Sequence, residues 1–121
     1  MSPESALLCE IIQAVPDESS WYITSDSWDK IPALFGSLIE LREWEVRITD
    51  GTREKVKNIV AEYDLGEKIV HMDIVSKNGV ALFVSYDRMV MIQISTSLEL
   101  DTTIGEKYPT LEIYFAELPP L

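Results

Sequence analysis

The sequence predicts an α+β fold, a two-layer sandwich in which a mostly antiparallel sheet carries three helices packed on one face. Apolar residues recur at helical spacing in three segments before Gly66, and the apolar period becomes two from Lys68 onward. Asn78-Gly79 separates two alternating segments, which is a strong hairpin signal. At 121 residues the chain has the size of a single domain, residues 1–121, with the element order α-β-α-β-α-β-β-β-β.

The helices are placed by their apolar stripes and by their end signals. The stripes are Leu7, Leu8, Ile11 and Ile12, then Trp28, Ile31, Phe35 and Leu38, and then Val56, Ile59, Val60 and Tyr63. We predict starts at Ser2-Pro3, at Asp26 or Ser27, and at Thr52, with ends at Val15-Pro16, near Gly36 and at Gly66.

The strands are placed by alternation and β-propensity. They are predicted over Trp21–Thr24, Leu41–Asp50, Ile69–Ser76, Val80–Tyr86, Met89–Ser95 and Thr110–Ala116. The segment Thr96–Pro109 is predicted to be irregular and Leu118–Leu121 to be an extended tail.

Sorting the strand residues by parity predicts two different sheet faces. The apolar parity is predicted to be the core under the helices: Val70, Met72, Ile74, Val80, Leu82, Val84, Val90, Ile92, Ile94, Leu111, Ile113 and Phe115. The other parity is mixed, and we predict a protein interface there that includes His71, Phe83, Met91 and Tyr114, with homodimerisation as its simplest use. Alternatively, Thr96–Pro109 or the first helix covers this second face, or its apolar residues are singly exposed.

No constellation of catalytic residues is predicted. His71 and Asp73 are two positions apart on one strand, roughly 7 Å, which is too far for the orienting hydrogen bond of a triad with Ser85. The single histidine and single cysteine exclude a thiolate-rich metal site, and the scattered glycines match no phosphate-binding loop. We therefore predict no cofactor, no metal and no enzymatic activity. A small-molecule or carboxylate-metal enzyme using Asp17, Glu18, Asp26 and Asp29 stays a further alternative.

The net charge of −11 argues against nucleic-acid binding, which needs clustered lysine and arginine. Residues 1–29 contain six acidic residues and no basic one, whereas residues 30–60 are nearly balanced. We predict a docking surface for a basic protein partner formed by Asp17, Glu18, Trp21, Tyr22, Asp26 and Asp29. Alternation lets only one of Trp21 and Tyr22 face outward. The alternative is that the acidic surface serves solubility alone.

The absence of an apolar segment long enough for a membrane span predicts no membrane association, and a free Cys9 predicts a cytoplasmic location. In size, acidity and lack of a catalytic set the chain resembles bacterial toxin-neutralising immunity proteins, a resemblance that covers no motif. It implies a non-enzymatic, acidic protein-binding domain that inhibits a basic, nuclease-like toxin. The alternative is a self-assembling module that uses the second sheet face.

Overall fold

The computed structural model describes residues 1–101 and 103–119 and confirms the α+β class. Its α-helices are Pro3–Ala14 (α1), Ile31–Phe35 (α2), Arg53–Tyr63 (α3) and Ile104–Lys107 (α4). Its strands are Ser19–Ile23 (β1), Ile39–Glu40 (β2), Glu45–Ile48 (β3), Met72–Val75 (β4), Ala81–Tyr86 (β5), Met91–Ser95 (β6) and Ile113–Ala116 (β7). They form one sheet in the order β2-β3-β1-β4-β5-β6-β7, in which β6 and β7 run parallel and the other pairs antiparallel.

Two elements differ from the predicted order because local contacts override the pattern. Alternation over Leu41–Asp50 predicts one strand, but the chain forms a hairpin of β2 and β3 joined by the turn Leu41–Trp44. Helix α4 is a single turn within the segment predicted to be irregular, and its Ile104 is buried. Thr102 in that segment and Pro120-Leu121 in the predicted tail lie outside the described residues.

Both ends of α1, the end of α2 near Gly36 and the start of α3 agree with the predictions. The start of α2, the Thr52 cap and the end of α3 need correction. The Ser2 hydroxyl caps α1 by accepting the Ser5 N–H at 3.1 Å. Helix α2 begins only at Ile31. Ser27 is bound instead to the segment that precedes β4, because its hydroxyl accepts the Val70 N–H at 2.8 Å. The Thr52 side chain does not cap α3, although that helix starts where predicted.

Helix α3 ends at Tyr63 rather than at Gly66, because the next residue, Asp64, adopts the left-handed conformation with φ 52°. Gly66 has another role, since α1 packs directly against it. A Cβ there would lie 2.5 Å from the Ser5 nitrogen and 2.6 Å from the Glu4 carbonyl carbon. The Gly66 N–H also donates to the Ser5 hydroxyl at 2.8 Å, so glycine permits the close approach of the two segments.

One face of the sheet belongs to the same core cluster as the buried residues of α1, α2 and α3. Its members include Val46, Ile48, Trp21, Ile23, Met72, Ile74, Phe83, Ile92 and Ile94. Tyr108, next to α4, donates a hydrogen bond to Glu10 of α1, and Lys107 pairs with the same carboxylate. The segment around α4 is therefore anchored to α1 and joins the core cluster through Ile104 and Tyr108.

The predicted orientation of β5 is wrong. Phe83 pairs with Ile74 and Ile94 and is 0% exposed, so it cannot line the second face. Val84, predicted in the core, lies on the second face instead. In the antiparallel hairpin around Asn78-Gly79, even-numbered residues of β4 lie opposite odd-numbered residues of β5 and share a face with them. Sorting by hydrophobicity instead placed the even-numbered residues of both strands on one face. Leu82 is still buried because a register shift makes it an extra, bulged residue.

The turn between β5 and β6 also reverses two predicted orientations. Asp87, Arg88 and Met89 are consecutive residues in the left-handed region, with φ of 51°, 56° and 66°. After this turn Met89 is buried, whereas Val90, predicted in the core, is 61% exposed. Tyr86 pairs with Met91, so the observed loop has four residues, whereas the predicted strands Val80–Tyr86 and Met89–Ser95 leave a turn of two.

Candidate functional site

The second face of the sheet contains a groove of about 710 Å³. Its floor is formed by β1, β4 and β5, and the turn Leu41–Trp44 forms one wall. Its side chains are partly aromatic and partly charged, and they include Tyr22, Asp26, Glu43, Trp44, His71, Asp73 and Tyr86. A concave site with apolar walls and a few convergent polar groups is typical of a binding site.

Strand register brings these residues together from distant parts of the chain. On the second face one row crosses all seven strands through directly opposed residues: Glu40, Glu45, Tyr22, Asp73, Val84, Gln93 and Tyr114. The neighbouring row contains His71, Tyr86 and Met91, since Tyr86 pairs with Met91 and its ring lies 5.6 Å from the His71 ring. The groove occupies the β1–β4–β5 part of these rows.

Asp73 is a groove residue with a buried, unsatisfied hydrogen-bond acceptor. It lies between Tyr22 and Val84, and among the described residues its buried Oδ1 accepts no hydrogen bond. Burial beside these side chains raises the pKa of the Asp73 carboxyl. A buried acceptor without a donor is costly, so a ligand that supplies a donor or a positive charge gains the missing interaction.

His71 borders the groove with its ring held in place. The Asp87 N–H donates to Nδ1 at 3.2 Å, which directs the neutral ring's proton to Nε2. Ser85 faces the core, whereas His71 and Asp73 lie on the second face. The structure therefore does not bring the three residues together as a triad.

The wall formed by Leu41–Trp44 is organised by the Glu40 carboxylate. This carboxylate accepts the N–H groups of Arg42 at 2.9 Å and Glu43 at 3.1 Å. Trp44 is held in a left-handed conformation, φ 49°, and its carbonyl accepts the Ile23 N–H at 3.1 Å. A tryptophan in this region is strained, and such strain is found disproportionately at binding sites.

The residues predicted to bind a basic partner do not form one surface. Tyr22 and Asp26 line the groove. Trp21 is 0% exposed and its ring packs perpendicular to that of Phe35, so its predicted contact with a partner is wrong. Alternation in β1 turns Trp21 inward and Tyr22 outward. Asp29 is exposed beyond the groove.

Asp17 and Glu18 lie at the opposite end of β1 and have local partners. The Asp17 carboxylate accepts the Asp50 N–H at 2.8 Å, and Glu18 pairs with Lys77 at 2.7 Å. These two carboxylates therefore tie loops together and contribute little to the charge around the groove.

Of the residues predicted for the second face, His71, Met91 and Tyr114 do lie on it. Sequence reasoning missed Asp73, Trp44 and Tyr86 as groove residues. Tyr86 could have been found by counting outward from Asn78-Gly79, because this places it opposite His71. Trp44 gave no usable signal, since its position depends on a turn that the alternation conceals.

In residues 1–101 and 103–119, no helix combines the length and apolar character needed to cross a bilayer. Over the same ranges, no group of three or more histidine, cysteine, aspartate or glutamate residues is placed to hold a metal ion.

Comparison with known proteins assigns no family: no protein-family model, curated protein or solved structure matches this chain. The fold and the groove therefore define it only as an acidic α+β protein with a concave site on the second face of its sheet.

Proposed function

We propose that this chain is a non-enzymatic binding protein whose groove holds a cationic side chain of a basic protein partner. The observation that supports this most directly is the buried, unpartnered Oδ1 of Asp73 on the groove floor. An arginine or lysine side chain supplies the hydrogen-bond donor that this oxygen lacks and a positive charge opposite the carboxylate. Hydrogen bonds between charged groups are stronger than those between neutral groups.

The groove walls favour the same kind of ligand. Tyr22, Trp44 and Tyr86 place aromatic rings around the floor, and a cation is attracted to the face of such rings. The chain already uses this interaction internally, since the Lys68 ammonium lies 4.7 Å from the Trp28 ring centre.

The charge around the groove and on the whole protein favours a positively charged partner. Asp26 and Glu43 lie on the groove rim with Arg42 as the opposing charge, and the net charge is −11. Such a field speeds the encounter with a basic partner and weakens as salt is added.

The site can be tested with a minimal probe, N-acetyl-arginine methylamide, and its neutral citrulline counterpart as the control ligand. In an NMR titration we expect the arginine probe to shift signals of Tyr22, Asp73 and Tyr86, and the citrulline probe to leave them unchanged. Asp73→Asn should weaken the response at least about tenfold, because it removes the charged acceptor. Asp101→Asn, an exposed acid outside the groove, is the matched control.

Shifts spread evenly over all acidic surfaces would contradict a specific site, as would an unchanged response in Asp73→Asn. Binding should also fall as NaCl rises from 50 to 500 mM, since the attraction is electrostatic.

The finer form of the proposal is an immunity-type inhibitor that occupies a basic, nuclease-like toxin. Its support is the resemblance in size, acidity and composition, together with a groove suited to a cation. For such a complex, neutralising Asp26 and Glu43 should lower the association rate constant. Neutralising Asp17 and Glu18 should change it little, because those two carboxylates lie away from the groove. Equal effects of these two pairs of substitutions on the association rate constant would contradict the assignment of the groove as the docking surface.

A further inference from the structure

Strand β7 forms one end of the sheet in the described chain and lacks the features that normally protect such an edge. Natural edge strands are usually very short, charged or interrupted by proline. The opposite edge, β2, follows this rule, since it has two residues and carries Glu40. Ile113–Ala116 carries no charge, and Tyr114 and Phe115 are 49% and 48% exposed.

The backbone of β7 has hydrogen-bonding groups directed away from the sheet. Ile92 donates to the Glu112 carbonyl at 3.2 Å and Thr96 to the Ala116 carbonyl at 3.0 Å, so the even-numbered residues of β7 face β6. Because these groups alternate along a strand, the N–H and C=O of Ile113 and Phe115 point outward. They form a template for another strand.

A second copy of this chain satisfies the template through a twofold axis. Such an axis, perpendicular to the sheet, makes the two β7 strands antiparallel and keeps both core faces on the same side. Two residues that lie directly opposite each other across the axis then both have odd numbers or both have even numbers. With Tyr114 opposite Tyr114 of the second copy, each Ile113 lies opposite a Phe115, and these pairs exchange four backbone hydrogen bonds.

Side-chain chemistry also suits this register. Ile113 would pack beside Phe115 of the second copy, on the face where Phe115 is otherwise half exposed although it points to the core side. The flanking carboxylates avoid each other, because Glu112 lies opposite Ala116 and Glu117 opposite Leu111.

We propose that two copies of this chain associate through β7, antiparallel and centred on Tyr114, to form one continuous sheet. The interface lies at the edge of the sheet and leaves the groove at β1, β4 and β5 open. Two chains of charge −11 repel each other, so added salt strengthens this association. Salt has the opposite effect on binding of a cation in the groove, so the two proposals can fail separately.

A charge swap tests both the interface and its register. In sedimentation velocity runs at 500 mM NaCl, the wild type should dimerise. Tyr114→Glu and Tyr114→Lys should each raise the dimer dissociation constant about tenfold or more, because like charges meet at the axis. An equimolar mixture of the two variants should form a heterodimer. Tyr86→Glu and Tyr86→Lys, an exposed tyrosine of the same face but not at the edge, are the matched controls.

A wild type that stays monomeric at 1 mM protein and 500 mM NaCl overturns the proposal, as does a dimer that neither Tyr114 variant weakens. If both variants are monomeric and mixing restores nothing, the axis does not lie at Tyr114. Tyr114→Cys gives an independent readout, because opposed residues of a non-hydrogen-bonded pair have Cα atoms about 4.5 Å apart, within disulfide range. It should form a covalent dimer under mild oxidation, whereas Tyr86→Cys should not.

Discussion

Replacing Asp73 by asparagine should stabilise the protein and at the same time weaken the binding of a cation in the groove. The wild-type carboxylate is held between Tyr22 and Val84 with one buried oxygen that finds no donor among the described residues. Asparagine has nearly the same shape and carries no charge, so the burial penalty on the ionised form disappears. A residue that reduces stability at a concave site is expected where binding has been selected over stability.

The size of the effect follows from the burial. A buried polar atom left without a partner costs about 1–3 kcal/mol, and Asp73 as a whole is only partly buried. Asparagine leaves a polar amide atom at the same buried position, so the substitution removes only the extra penalty that burial places on the charged form. We therefore expect a gain of about 1 kcal/mol in the free energy of unfolding at pH 7. For a domain of this size that corresponds to a rise of about 3–5 °C in Tm.

The pH dependence identifies the cause. The pKa of Asp73 is raised in the folded state, so folding favours its protonated form. The stabilisation from protonation is present below the ordinary carboxyl pKa of about 4 and is lost as the pH rises through the raised pKa. The advantage of Asp73→Asn should therefore be largest at neutral pH and vanish near pH 4.

Urea unfolding of both proteins between pH 3.5 and 8 measures this difference, and other acidic groups cancel in the comparison. Asp26→Asn, an exposed groove carboxylate, should change stability by less than about 0.5 kcal/mol. A less stable Asp73→Asn protein at pH 7, or a difference that does not vary with pH, would refute the reasoning.

Three further predictions concern the scaffold. Gly66→Ala should lower the free energy of unfolding by about 1–3 kcal/mol in urea titrations, since its Cβ would meet the α1 backbone at 2.5 Å; an unchanged midpoint would contradict that contact. The hydroxyl of Ser5, the N–H of Ser2 and the Ser2 hydroxyl lower the pKa of Asp64 to about 2. Its stabilising contribution, measured as the difference from Asp64→Asn, should be present above pH 4 and decline towards pH 2. Phe83→Asp should prevent stable folding, whereas Met91→Asp, at a 42% exposed position, should leave the circular-dichroism melting curve nearly unchanged.

Part of the fold could be predicted because it depends on local chemistry. The Ser2 cap and the stripe from Leu7 to Ile12 define α1 regardless of what packs against it. The groove residues depend on pairings between distant segments. Tyr22 and Asp73 are 51 positions apart in the sequence and become neighbours only through the β1–β4 register. The β1–β4 pairing follows no short turn, so no local signal specifies it.

The sequence by itself determined the α+β class, helix α1, the start of α3 and the acidic charge, because these depend on periodicity, capping and composition. Tertiary structure decided which residues the second face presents. Neighbouring residues of β5 point to opposite faces, so Phe83 lies in the core and Val84 on the groove floor. Because both faces of this strand carry apolar side chains, its apolar content does not determine which face turns to the core. Strand order likewise decided that β7 lies at an edge, since edge position is a property of the assembled sheet rather than of any strand.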